Sequence, residues 1–173
     1  MSEEVVTREL VLARDVMSRP VRRLVYGTPV ADAAAFFLRH GISGAPVTGA
    51  EGRPVGVFTM SDLSRSVQRR WLRHASGRTL EGREPLGTVE APGLEGLEKM
   101  TVGQLMTPGL FTVFPEATLE EVVRTMSSQK IHRVFVISEK GDLEGVITMM
   151  DVLHWTDRKF AAQKEEDRAH HRS

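Results

Sequence analysis

The sequence predicts an α+β fold assembled from two pseudo-symmetric repeats, each running strand, helix, strand, strand, helix. Three observations lead there. The chain nearly repeats itself at an offset of 89 residues, the step from Met17 to Met106, and aligns without a gap from Val16/Leu105 to Leu63/Val152. Within each copy the apolar spacing switches between strand and helix periods in the same order. Each copy is only about 55–60 residues, a size at which one core is marginal, so the two halves are expected to bury each other.

The first copy opens with the short amphipathic turn Ala13-Arg14-Asp15-Val16-Met17, followed by an extended apolar stretch from Val21 to Val25. Thr28-Pro29 signals a helix start, because Pro suits the first turn. Val30, Ala33, Ala34, Phe37 and Leu38 fall on one helical face, and His40-Gly41 closes the helix. Ala45 to Thr48 and Pro54 to Phe58 read as strands around a Gly49/Gly52 turn, and a second helix begins near Met60 with a Met60, Leu63, Val67, Trp71 stripe.

The second copy repeats the order. Leu110 to Phe114 is a strand, and Thr118-Leu119-Glu120-Glu121 carries a capping-box pattern. Leu119, Val122, Val123 and Met126 form the helical stripe. Val134 to Ile137 and Leu143 to Ile147 are strands around Gly141, and a last helix starts near Met149 and runs past Phe160. The resulting division is repeat 1 at 10–72, a Gly/Pro-rich linker at 73–99, repeat 2 at 100–162, and a charged tail at 163–173 that is expected to fray from Lys164.

Composition narrows the function classes. Hydrophobic residues make up 40% of the 173 and charged residues 27%, the balance of a soluble globular protein. No apolar run approaches the roughly 20 residues that span a bilayer, and the N-terminus lacks the basic and apolar regions of a signal peptide. The absence of cysteine excludes disulfides, thiol nucleophiles and thiolate metal sites, and fits a cytoplasmic location. Lys+Arg and Asp+Glu both total 23, so no global field draws the chain to nucleic acid. An Arg-rich patch at Arg65, Arg69, Arg70, Arg73, Arg78 and Arg83 could meet nucleic acid or an acidic partner, but reads more simply as a solvated helix face. No phosphate-loop, zinc-protease or nucleophile-elbow pattern occurs, so an enzyme is not expected.

The chemistry concentrates at a doubled motif. Gly56-Val57-Phe58-Thr59-Met60-Ser61-Asp62 is answered by Gly145-Val146-Ile147-Thr148-Met149-Met150-Asp151. Each copy sets a hydroxyl and a carboxylate three residues apart where a strand enters a helix. The helix start suits a phosphate, and a carboxylate can accept from the two hydroxyls of a ribose. Thr-x-x-Asp is equally a capping-box pattern, and both roles remain open on residue type alone. His132-Arg133 adds a cationic pair in the second copy, where the first has Ser43-Gly44.

Two such units, with Asp15-Val16-Met17 and Gln104-Leu105-Met106-Thr107 before their first strands, resemble a tandem pair of cystathionine-β-synthase-type (CBS) domains. Gly41-Ile42-Ser43-Gly44-Ala45-Pro46-Val47 and Lys130-Ile131-His132-Arg133-Val134-Phe135-Val136 match the family's second-strand region. The resemblance implies a regulatory module that binds AMP, ADP, ATP or S-adenosylmethionine in clefts between the copies, with no obligatory cofactor. It assigns ribose contact to Asp62 and Asp151, phosphate contact to Thr59, Thr148, His132 and Arg133, and the base region to Arg23, Thr112, Ile42, Pro46 and Ile131. It further implies a homodimer that signals to an unknown regulated protein; a scaffold with degenerate clefts is the alternative.

Overall fold

The computed structural model describes residues 10–75, 96 and 99–170. Most of the 73–99 linker, with Arg78 and Arg83, therefore lies outside the described residues. The α+β architecture is the one expected. In chain order the elements are α1 (Ala13–Val16), β1 (Leu24–Val25), α2 (Val30–His40), β2 (Gly44–Thr48), β3 (Pro54–Thr59) and α3 (Met60–Ala75), then α4 (Val102–Leu105), β4 (Thr107–Pro108), β5 (Thr112–Val113), α5 (Leu119–Gln129), β6 (Arg133–Ile137), β7 (Leu143–Thr148) and α6 (Met149–His170).

The chain forms two compact units. One takes in Arg22–Leu110; the other joins the chain up to Val21 to the chain from Phe111 on. Each unit is thus built from the body of one repeat and the lead-in of the other. In the Arg22–Leu110 unit the sheet order is β1-β2-β3-β4, with β1 parallel to β2 and the remaining pairs antiparallel. The lead-in of repeat 2 supplies β4, whose Thr107 stands opposite Val57. In the other unit β5 runs parallel to β6, β6 antiparallel to β7, and Ser18 bridges Val146 in the place that β4 takes in its counterpart.

The 89-residue register extends to these tertiary contacts. Ala13 N–H donates to Ala117 O at 2.7 Å, and Val102 N–H to Thr28 O at 2.8 Å. Leu12 bridges Thr118 as Thr101 bridges Pro29. The motif glycines explain themselves here. A Cβ on Gly56 would lie 2.6 Å from the Thr107 carbonyl oxygen, and one on Gly145 would overlap the Met17 side chain. Glycine at the head of each motif therefore admits the lead-in against the sheet.

The cores follow the same register. Val30, Ala33, Phe37, Ala45, Val47 and Phe58 pack with Val102 in one unit. Leu119, Val122, Met126, Val134, Val136 and Ile147 pack with Ala13 and Val16 in the other. Phe37 stacks on Phe58 at 5.8 Å, a contact that Met126 and Ile147 replace in the second copy. Thr118 caps α5 as its pattern predicts: Glu121 N–H donates to Thr118 Oγ1 at 3.2 Å, and Thr118 N–H to Glu121 Oε2 at 2.7 Å. Thr118 N–H and the Thr118 hydroxyl, the latter at 3.0 Å, both donate to the Glu121 carboxylate and hold it below its usual range.

Two differences from the expected elements have local causes. The predicted first strands, Val21–Val25 and Leu110–Phe114, contract to two residues each, because only Leu24–Val25 and Thr112–Val113 stand in register with a neighbouring strand. The last helix continues to His170 instead of fraying from Lys164. Ala161-Ala162-Gln163-Lys164-Glu165 is exposed but consists of strong helix formers, and these extend a helix already anchored by its packed first turns.

Candidate functional site

Both Thr-x-x-Asp motifs form complete capping boxes at the strand-to-helix junctions. Thr59 N–H and Oγ–H both donate to Asp62 Oδ2, at 2.8 and 2.6 Å, while Asp62 N–H donates to Thr59 Oγ1 at 3.3 Å. Thr148 N–H and Oγ–H likewise donate to Asp151 Oδ2, and Asp151 N–H to Thr148 Oγ1. One carboxylate oxygen of each Asp is therefore spent on its own helix start.

The second oxygen distinguishes the copies. Asp62 Oδ1 accepts from Arg65 Nη2 at 2.6 Å and from Thr107 Oγ1 at 3.2 Å, and the residue is only 6% exposed. Asp151 is half-buried, and its Oδ1 accepts from Ser18 Oγ at 2.8 Å. Ser18 and Thr107 occupy equivalent lead-in positions, so each repeat sends a hydroxyl to the motif carboxylate of the other. Sequence reasoning missed these two residues. The available signal was a hydroxyl in register immediately after Met17 and Met106.

Arg133 begins β6 directly opposite Thr148, and Gly44 stands opposite Thr59 in the first copy. Cross-strand neighbours share a face, so Arg133, Thr148 and Asp151 gather at one junction. His132 diverges from Arg133. Its carbonyl accepts from Met149 N–H at 3.1 Å, and its exposed side chain lines an apolar hollow of about 380 Å³ with Met126, Ile131, Met149 and Val152. Ile131 and Ile42 pack against the cores of their respective units. Pro46 is fully buried on β2, whereas Arg23 and Thr112 are exposed near the first strands. On the Arg-rich face, Arg65 and Arg69 both line a hollow of about 320 Å³ beside Asp62.

Among the described residues, no group of three or more His, Asp or Glu side chains could hold a metal ion, and no helix is long and apolar enough to cross a membrane.

The CBS domain family matches residues 13–69 and 102–157. The chain belongs to the CBS domain family. The chain is 27% identical over 158 residues to an uncharacterized protein of Methanocaldococcus jannaschii, covering 84% of this chain and 90% of that one. Among solved structures, CBSX2 in complex with AMP superposes with a TM-score of 0.65 at 22% identity, over 86% of this chain and 97% of that chain. A CBS domain pair solved with 5′-methylthioadenosine and S-adenosyl-L-methionine gives a TM-score of 0.67 at 19% identity, over 87% and 98%. At those identities the likeness establishes the CBS-pair fold.

Proposed function

We propose that this protein is a regulatory CBS pair that binds an adenosyl ligand, an adenine nucleotide or S-adenosylmethionine, and passes its occupancy to a partner protein. The observation that carries the reading is the junction of the second copy, where Arg133 stands across from the Thr148 that holds Asp151. A carboxylate able to accept from ribose hydroxyls next to a planar cation able to grip phosphate is the chemistry an adenosine phosphate requires. The ligands in the CBSX2 and S-adenosylmethionine-bound structures support the ligand class. Asp151 is the principal ribose contact and Thr148 and Arg133 the phosphate contacts. Thr59, Asp62, Arg23, Thr112, Ile42, Pro46, Ile131 and His132 are subsidiary positions. The protein acts without catalysing a reaction, as a homodimer, through the linkage of ligand affinity to conformation or association.

For the first copy a second reading has its own observation. Asp62 is closed off by Thr59, Arg65 and Thr107 together, which suits a purely structural role there.

A thermal-shift panel of AMP, ADP, ATP, NAD and S-adenosylmethionine tests the proposal. A ligand at ~100 times its Kd stabilises by about 2.7 kcal/mol, a rise of roughly 5–10 °C in a chain of this size. Loss of that rise in Asp151→Ala supports the assignment; a panel in which no ligand moves the midpoint overturns it.

A further inference from the structure

The apolar hollow of about 380 Å³ between α5 and α6 lies wholly within the unit that runs from Phe111 on, and its lining includes none of Thr148, Asp151 and Arg133. Met126, buried in the core, is its floor, and Val123 of α5 with Met149 and Leu153 of α6 are its walls. All three wall residues are exposed, so bulky apolar side chains gather in water around one concavity. The volume falls among those of small-molecule pockets, about 300–1,000 Å³.

The polar groups of the hollow carry one sign of charge. Lys130 and His132 both line it, and no carboxylate does. Among the described residues none forms a salt bridge with the Lys130 ammonium. The backbone of Lys130 is left-handed at φ 53°, and no other non-glycine residue among those described has a positive φ. Glycine is the ordinary occupant of such a cap, and a side chain there costs stability. A lysine held where the fold favours glycine leads from an observed strain to a function for its ammonium. α5 ends and α6 begins at this edge of the hollow, so their opposite dipole ends offset each other and Lys130 sets the sign.

The first copy is built otherwise at the equivalent place. At the 89-residue offset Lys130 becomes Gly41, His132 becomes Ser43, Val123 becomes Ala34 and Leu153 becomes Ser64. Gly41 makes the same left-handed cap without a side chain, so the ammonium is not needed to end the helix.

We infer that this hollow binds a free medium-chain carboxylate, its chain against Val123, Met149 and Leu153 and its head group on Lys130 and His132. A single ammonium balances a single negative charge, and the imidazole N–H supplies a second donor to the same carboxylate. Methionine at the floor and wall adapts to a flexible chain. The inference goes beyond the adenosyl reading and does not rest on it, since an apolar lining without a carboxylate offers nothing to accept from ribose hydroxyls.

The test is calorimetric titration of the full chain with decanoate below its micellar range. Decanol keeps the chain without the charge, and acetate keeps the charge without the chain. Decanoate should bind about 10-fold or more tightly than decanol, the worth of one charge-assisted hydrogen bond, and acetate should give no heat above dilution. Lys130→Gly should remove that margin while raising the urea midpoint, so the loss is read in a folded protein. Leu153→Ser, which imports the first copy's residue, should weaken decanoate and decanol alike by about 10-fold. No decanoate binding, equal affinity for decanol, or affinity indifferent to Lys130→Gly overturns the site. Displacement of decanoate by AMP also overturns it, because the two would then share the Asp151 junction. If sedimentation instead shows a dimer that Leu153→Ser splits and decanoate leaves intact, a second copy covers the hollow and the inference fails.

Discussion

Removing the motif carboxylates should separate stability from binding. In Asp62→Ala the capping box is lost, at about 1 kcal/mol. The hydrogen bond from Thr107 to a charged acceptor adds roughly 1 kcal/mol at a site open to solvent on the Thr107 side. The Arg65 pair contributes a further ~0.5–1 kcal/mol, discounted because the Arg65 side chain is 55% exposed. The sum is about 3 kcal/mol. Asp151→Ala loses the same cap, but only one outer hydrogen bond, from an exposed Ser18, so its cost is ~1.5–2 kcal/mol. Urea unfolding of both variants, with the slope m compared to confirm an unchanged exposure on unfolding, measures the difference. Asp62→Ala should be the less stable by ~1 kcal/mol, while Asp151→Ala should show the larger loss of adenosyl-ligand response. Equal stability losses, or a larger one from Asp151→Ala, would refute the reasoning that Arg65 and Thr107 make the Asp62 junction the more structural of the two.

Further substitutions probe the fold that holds these junctions. Lys130 closes α5 in the left-handed region at φ 53°, where the first copy has Gly41 at φ 61°; Lys130→Gly should stabilise by about 1 kcal/mol and Gly41→Ala destabilise by a similar amount, read by urea midpoints. Gly56→Ala places a Cβ against the Thr107 carbonyl and should cost ~1–3 kcal/mol, with faster amide exchange at Thr107 and Val57 as its local signature. His40, edge-on to Phe36, has its pKa lowered first by burial and then by the charges of Arg22 and Arg39. Its contribution to stability is therefore complete above the ordinary histidine value of about 6.5 and falls away as pH drops through the lowered folded value. His40→Gln should flatten the stability curve in that window.

Much of this architecture was legible because it is written twice. Val30/Leu119, Phe37/Met126 and Val47/Val136 recur at one offset, and both members of each pair are buried in equivalent cores. The Thr118 cap was legible because it is a local pattern of four residues that nothing distant overrides. The lead-in exchange was not, since Thr107 pairs with Val57 and Ser18 with Val146 across long stretches of chain, and local periodicity carries no information about a strand's partner. For the same reason the motif carboxylates were visible as residues but not as members of a contact. Whether Asp62 or Asp151 is the more enclosed depends on Arg65, one turn along the helix, and on a hydroxyl from the other repeat.

The exchange also gives the two junctions a physical basis for unequal response. The backbone register, the glycine at each motif head and the capping box are the same in both copies, so the helix starts are equivalent as scaffolds. What varies is the partner of the outer carboxylate oxygen. At Asp151 that partner is the Ser18 hydroxyl, and a ribose hydroxyl could replace it like for like, with the released Ser18 able to hydrogen-bond to water. At Asp62 an incoming hydroxyl would have to displace an ion pair and a second hydroxyl together, a larger cost for the same gain. Because Ser18 belongs to the lead-in that also bridges Val146, replacing it would loosen the segment that ties the first repeat's N-terminal end to the body of the second. Occupancy at Asp151 would then be felt along the chain, and at Asp62 the Arg65 clasp would resist the same event.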